Sequence, residues 1–257
     1  MRILMVGNTA SIGHNLKKGL RAEGIDCDLI CSKETILISK SDDKPNGKYD
    51  LIHLNCPIAL RFWLNWEFVK RIFITPIVTH WHGDDLRTKK PIRRLLRWYF
   101  LKRSKAILYS TKNLKKHLPE DAIWLPTPID TDQFKPMKVK EKNLLKWGSG
   151  KIPHDSVPEY LNRFEACEIR NASEAILTAS FLEALACGLK VKGFENYDRN
   201  YVIENHSIPA VTKKVIRIYK KALSHNIRDQ IWGWILLIIF TIIYILSPKL
   251  RSEIDKH

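Results

Sequence analysis

The chain has 257 residues, enough for one large domain or two modest ones. With 45% hydrophobic and 27% charged residues it has the material for a real core, which excludes a mainly disordered or collagen-like chain. Its 43 Lys and Arg outnumber its 27 Asp and Glu, for a formal charge of +16, and such an excess directs it towards anionic partners: nucleic acid, acidic lipid headgroups or phosphorylated ligands.

Residues 2–6 predict a short buried strand, too brief to be the apolar stretch of a secretory signal. Residues 7–13 form a loop of small and polar residues. Glycine between a strand and a helix lets backbone approach a phosphate at free helical N–H groups, which makes Gly13 a candidate binding residue; a merely tight turn explains the glycines equally well. The loop is neither G-x-G-x-x-G nor a P-loop with its lysine, so dinucleotide and Walker-type binding are not expected. Residues 15–23 have helical spacing, with Leu16 and Leu20 on one face, and Gly24 ends the helix. Strands are expected at 25–30, 50–54, 74–79, 106–109 and 122–125. Such alternation of strand and helix argues for a parallel sheet with helices on both faces. Residues 135–142 are the expected linker; beyond it, 156–164 and 179–187 have helical spacing and 189–193 reads as a strand. The five cysteines are odd in number and lack zinc-knuckle or redox spacing, as in a reduced, cytoplasm-facing protein.

Residues 78–87 (VTHWHGDDLR) follow an expected strand, at the carboxyl edge where open α/β sheets bind ligands. Two histidines, two aspartates and an arginine crowd into them. An acceptor-binding or catalytic role, a hydrogen-bonded structural turn and a His-x-His metal site are the three readings; no further ligand cluster nearby supports a metal. Residues 87–105 then carry nine cationic side chains, no acid, and interleaved Leu, Trp, Tyr and Phe. As a helix this run suits an anionic membrane surface, with single-stranded nucleic acid and a plain solvated face as alternatives. The far end of the chain favours the membrane and argues against nucleic acid. Residues 231–246 (IWGWILLIIFTIIYIL) carry no charge and would span about 24 Å as a helix, slightly less than a full crossing needs. Trp232, Trp234 and Tyr244 sit near its ends as an aromatic belt would, and Arg228, Lys249 and Arg251 flank it. Membrane insertion is the first reading of that run, ahead of an in-plane anchor and a buried terminal helix.

Five of these elements, in order, resemble those of a family 4 type glycosyltransferase of the GT-B fold, two Rossmann-like domains facing a cleft. The opening strand, glycine loop and helix are similar to the family's first βαβ unit. DLIHLN, with Asp50, His53 and Asn55, resembles D-x-[IV]-H-x-[HN], and THWHGDDLR resembles the acceptor-side H-G-x-D-x-R, placing His82, Gly83, Asp85 and Arg87 on its positions. LPTPIDTDQFKP resembles the connector P-N-x-[VI]-D-x-x-x-F-x-P, with Thr127 in place of the usual Asn. FLEALACGLKV resembles the donor-helix pattern E-A-x-A-x-G-x-P-V, with Lys190 in place of the usual Pro. The second half departs from the pattern. Phe134 and Glu183 lie only 49 positions apart, and the first glutamate of the family's E-x7-E pair would fall on Ala175, with Glu174 one place early. For the Arg and Lys that grip the donor diphosphate, Lys146 and Lys151 are the only stand-ins.

The resemblance implies an N-terminal acceptor-side Rossmann-like domain over 1–136 and an abridged donor-binding domain over 137–225; the apolar run adds a hydrophobic membrane segment with a basic tail over 226–257. The resemblance implies retaining transfer of a sugar from a nucleotide-sugar, as substrate and with no cofactor, to an acceptor, with helix N-termini and cations rather than a metal expected to stabilise the departing diphosphate. The membrane features point to a lipid-linked or other membrane-proximal acceptor at the cytoplasmic face of the cell membrane. His82 and Asp85 would act on the acceptor hydroxyl, with His53, Asn55 and Arg87 binding the acceptor. Gly13, Lys146, Lys151 and Glu183 would hold the donor, and Glu183 is expected to point freely into the cleft. A non-catalytic, membrane-tethered sugar- or nucleotide-binding relative is the alternative, because the donor domain is short.

Overall fold

A computed structural model describes residues 1–8, 11–30, 48–57, 74–86, 91–138, 144–147, 152–169 and 178–224, without the side chains of 84, 85, 91–93, 95, 146 and 147. The chain is α/β. Strands β1 (Arg2–Val6), β2 (Asp26–Ile30), β3 (Leu51–Asn55), β4 (Ile77–Trp81), β5 (Ala106–Tyr109) and β6 (Ile123–Trp124) form a six-stranded sheet in the order β2-β1-β3-β4-β5-β6. Every pairing is parallel, an arrangement compatible with a Rossmann-like fold. Strands β3 and β4 are buried along their whole length, as strands covered on both faces must be.

Helices cover the two faces. The helix α1 (Ile12–Ala22) buries Leu16 and Leu20 against Ile3, Met5, Leu51 and Val78 on one face. A single helical turn, α2 (Gly83–Leu86), follows β4, and α3 (Pro91–Arg103) sets Phe100 against Leu4, Ile52, Leu54 and Trp81 on the other. The helix within the basic run is therefore part of the fold, with a divided surface. Phe100 is fully buried, Arg103 is buried and reaches the Thr75 carbonyl, and Arg97 Nη1 donates to the Leu86 carbonyl, while Arg94, Trp98 and Lys102 face outwards.

A smaller parallel sheet, β7-β8-β9, is made of β7 (Leu144–Trp147), β8 (Ala166–Ile169) and β9 (Lys190–Val191). Helices α4 (Val157–Leu161), α5 (Ala179–Ala186) and α6 (Arg199–His206) pack on it around Leu161, Phe181, Leu185 and Val202. The last described helix, α7 (Ile208–Leu223), then returns to the first sheet. Its Val211, Val215, Tyr219 and Ala222 join the core built by α1 and β1. Gly19 permits this approach, since a Cβ there would overlap Thr212 Oγ1 and come within 2.8 Å of Ile208 Cγ2.

Several boundaries differ from expectation for local reasons. The strand expected at 74–79 begins at Ile77, because Pro76 has no N–H to donate and only its carbonyl joins the ladder, accepting from Ile52. The helix expected at 156–164 stops at Leu161, where the Asn162 side chain competes for the Pro158 carbonyl. Strands β7 and β8 and helices α6 and α7 were not expected. The apolar run at 231–246 lies outside the described residues. Among the described residues no helix is long and apolar enough to cross a membrane.

Candidate functional site

Strand order reverses between β1 and β3: from β2 the chain passes over β1 to reach β3. A crevice at the carboxyl edge of such a reversal is where open α/β sheets take ligands. At this edge β1 ends in Gly7, whose φ of 88° turns the chain towards α1, and Gly7 N–H donates to the Ile30 carbonyl. Asn8 Oδ1 accepts from the His14 N–H, so one of the free donors of α1 is already used. A Cβ on Gly13 would lie 2.8 Å from the Gly7 carbonyl oxygen, which gives Gly13 a packing reason to be glycine whatever the loop binds.

The face of the sheet under α1 and α7 changes character along the strands. It is apolar at Ile3, Leu51, Val78 and Leu108, then polar at His53, Asn55, His80 and His82. Alternation along each strand and the pairing of Asn55 with His80 put these four side chains on one face. Asn55 Nδ2 donates to the Gly7 carbonyl, tying β3 to the glycine loop. The ring centroids of His53 and His80 are 5.6 Å apart, and those of His80 and His82 are 4.5 Å apart. His53 Nδ1 shares a hydrogen bond with the Tyr219 hydroxyl of α7. Just beyond β3, Cys56 adopts a left-handed φ of 53° and donates its N–H to the His80 carbonyl, bending the chain at the crevice.

Burial holds these rings neutral. It lowers His53 to about 3, with repulsion from His82 adding to the effect, and it lowers His82 to about 4. His80 also falls well below its ordinary value, through burial and then through both neighbours. His53 Nε2, both ring nitrogens of His80, His82 Nε2 and Asn55 Oδ1 have no hydrogen-bond partner among the described residues. Buried polar atoms are ordinarily paired, so this concentration at one strand edge marks a place where water or a ligand hydroxyl would be held. A neutral imidazole can accept a hydroxyl proton, which an imidazolium cannot. Among the described residues no three His, Cys, Asp or Glu side chains are placed to hold a metal ion.

In the second sheet region, Glu183 on α5 is buried at 7% exposure and hydrogen-bonded, which corrects the expectation that it points freely into the cleft. Its Oε1 accepts from His154 Nε2 at 3.1 Å, and the His154 ring lies 5.4 Å from that of Phe134. Burial pushes the Glu183 carboxyl above its usual range, with His154 pulling the other way. The turn after α5 explains its small-residue pattern. Gly188 has a φ of 82°, Leu189 N–H returns to the Ala184 carbonyl, and the helix closes in the left-handed conformation that glycine tolerates best.

The connector between the sheets is held from both sides. Asp130 Oδ1 accepts from the N–H groups of Asp132 and Gln133, and its carboxylate pairs with Lys18 of α1. These partners outweigh burial and keep Asp130 below the usual carboxylate range. Phe134 plugs the second core, Arg199 of α6 donates to the carbonyls of Phe134, Thr131 and Ala186, and His206 Nδ1 meets the Thr127 carbonyl. These contacts account for the connector's Asp and Phe positions as structure.

The structure thus brings Gly13, His53, Asn55 and His82 to one edge of the first sheet, and puts Glu183 on the second. Asp85 belongs to α2 and Lys146 to β7, their side chains outside the described residues, and Arg87 and Lys151 lie outside altogether. No protein-family profile matches the chain, and no curated protein matches it. Sequence reasoning left His80, Tyr219 and His154 out of the site. The His-x-His spacing was the available sign for His80; Tyr219 and His154 reach their partners across 166 and 29 positions, beyond the range of local patterning.

Proposed function

We propose that the protein is a GT-B-like glycosyltransferase that moves a sugar from a nucleotide-sugar to a lipid-linked or other membrane-proximal acceptor. The carboxyl edge of the first sheet would take the acceptor and the second sheet region the donor. The observation that carries this reading is the line of neutral, buried histidines beside the strand-order reversal, each with a ring nitrogen that has no hydrogen-bond partner among the described residues; His80 and His82 lie in the segment that resembles the acceptor-side motif of family 4 glycosyltransferases. A hydroxyl acceptor needs a proton acceptor within hydrogen-bond reach, and His82, with Nε2 unpartnered, is the first candidate; Asp85 follows it by one helical turn. Glu183, held by His154 in the second half of α5, would offer its second oxygen to donor hydroxyls. The departing diphosphate would be neutralised by cations such as Lys146 and Lys151 and by helix N–H groups, in the manner of phosphate sites generally.

Titrating uridine, guanosine and adenosine diphosphate sugars against the wild-type chain and Glu183→Gln tests the donor half. Loss of a charged hydrogen-bond acceptor should weaken the preferred donor about 10- to 150-fold. Transfer of labelled sugar to a lipid extract tests the whole. Donor binding without turnover would leave the non-catalytic tethered binding protein, and no donor binding by the wild type would end both readings.

A further inference from the structure

His154 opens a short turn, His154–Ser156, on the connection that leaves β7 at its carboxyl end, the side of a parallel sheet on which ligands bind. Its ring is fixed from two directions. Nε2 lies 3.1 Å from Glu183 Oε1, and the Phe134 ring meets it edge to face, with centroids 5.4 Å apart and planes at 62°. The rest of the ring is open. The side chain is 42% exposed, and among the described residues no group hydrogen-bonds Nδ1.

Glu183, by contrast, is buried, and His154 is the one hydrogen-bond partner of its carboxylate among the described residues. Arg199 is committed to three backbone carbonyls. Cys187, one turn on from Glu183, is a neutral thiol, pushed up to about 12 by burial first and by the charge of Glu183 second. An ionised carboxylate only accepts hydrogen bonds, so His154 Nε2 carries the proton, and in the neutral ring Nδ1 is left as a bare lone pair. A buried ion pair is a poor way to join two elements, since apolar residues of similar volume do as well or better. What it supplies and they do not is an oriented ring of defined tautomer, the part a carboxylate plays towards imidazole in hydrolytic triads.

We propose that His154 is a further residue of the donor site: Glu183 fixes its ring and tautomer, and the outward Nδ1 accepts a hydrogen bond from a hydroxyl of the nucleotide-sugar. The proposal rests on the glycosyltransferase reading and adds a contact that the donor-helix motif does not contain. A bare Nδ1 offers nothing to a phosphate oxygen, which has no proton to give, so the group taken here is a ribose or hexose hydroxyl.

The full chain in non-ionic detergent tests it with uridine, guanosine or adenosine diphosphate glucose, whichever the wild type binds most tightly. His154→Gln keeps an N–H near the position of Nε2 and removes the Nδ1 acceptor. It should hold the melting temperature within about 2 °C and raise the donor Kd about 3- to 10-fold, the worth of one neutral hydrogen bond. In the wild type, histidine nitrogen NMR should show His154, identified by its loss in the variant, as the Nε2–H tautomer, and donor should shift its Nδ1 resonance. Wild-type affinity in His154→Gln, or an Nδ1–H tautomer, would overturn the assignment and leave the donor reading standing. An Nδ1 shift produced equally by inorganic pyrophosphate would overturn it in favour of a phosphate contact. No nucleotide-sugar binding by the wild type would end the donor reading and this assignment with it.

Discussion

Acidification should unfold this protein over a pH range well above that of ordinary carboxylate titration. His53, His82 and His206 are held neutral, at about 3, about 4 and about 4, by burial above all. An unfolded histidine titrates near 6.5, so below that pH the unfolded chain binds protons that the folded chain refuses. Stability from these groups is complete above pH 6.5 and is lost as pH falls towards 4. Each histidine contributes a slope of about 1.36 kcal/mol per pH unit, hence about 2 kcal/mol lost at pH 5, or about 6 kcal/mol for the three. His80 acts in the same direction. Glu183, whose folded value is raised, acts oppositely, since protonating it relieves its burial; the contribution of Asp130 is lost only below the usual carboxylate range. Against a total stability of about 5–15 kcal/mol the histidine effect is large, and at about 2–4 °C per kcal/mol the melting temperature should fall by about 12–24 °C between pH 7 and pH 5. Near-UV circular dichroism melts in a fixed detergent would measure it, with histidine nitrogen NMR reporting the individual rings. A melting temperature constant within about 2 °C, or cluster histidines titrating above pH 6 in the folded state, would refute the reasoning.

Tyr219→Phe removes the hydroxyl that partners His53 and should cost about 1–3 kcal/mol, read as a lower melting temperature; an unchanged value would mean that water replaces the hydroxyl freely. Gly19→Ala should destabilise by about 1–3 kcal/mol through overlap with Thr212, and Thr212→Ala in the same chain should recover part of the loss, a coupling that a double-mutant cycle measures. Arg199→Met strips donors from three carbonyls around the connector and should cost about 2–4 kcal/mol, with hydrogen exchange rising first at residues 129–134. Deleting 226–257 should make the protein extractable from membranes without detergent, leaving only salt-sensitive binding; unchanged fractionation would place the anchor elsewhere.

The first sheet was largely legible because its strands are apolar runs with punctuation between them: Ala106–Tyr109 was anticipated to the residue, and Gly24 ends α1 as read. The second was less so. Leu144–Trp147 is four residues long and drew attention for its lysine, and Ala166–Ile169 shows no alternation that singles it out. Helix α7, by contrast, carries its signals locally: Ser207 caps it, Pro209 opens it, and Ile208, Val211, Val215, Tyr219 and Ala222 recur at helical spacing. For the site, local motifs pointed to His53, Asn55 and His82 but carried nothing about burial. Glu183 shows the consequence: its helical face was read as open because the sequence contains no trace of His154 folding over it.

The return of α7 to the first sheet also sets an order of events during synthesis. Strands β1 to β6 are complete once residue 124 has been made, yet the face lined by Ile3, Met5, Leu51 and Val78 has only α1 to cover it until residues 211–222 arrive. At about 5–20 residues per second, the intervening hundred or so residues take roughly 5–20 s to translate. Throughout that interval the nascent first lobe presents an apolar strip and an unpartnered His53, a species suited to chaperone capture. The helix that seals it immediately precedes the apolar run at 231–246, so closure of the first core and emergence of the most hydrophobic part of the chain fall within seconds of each other.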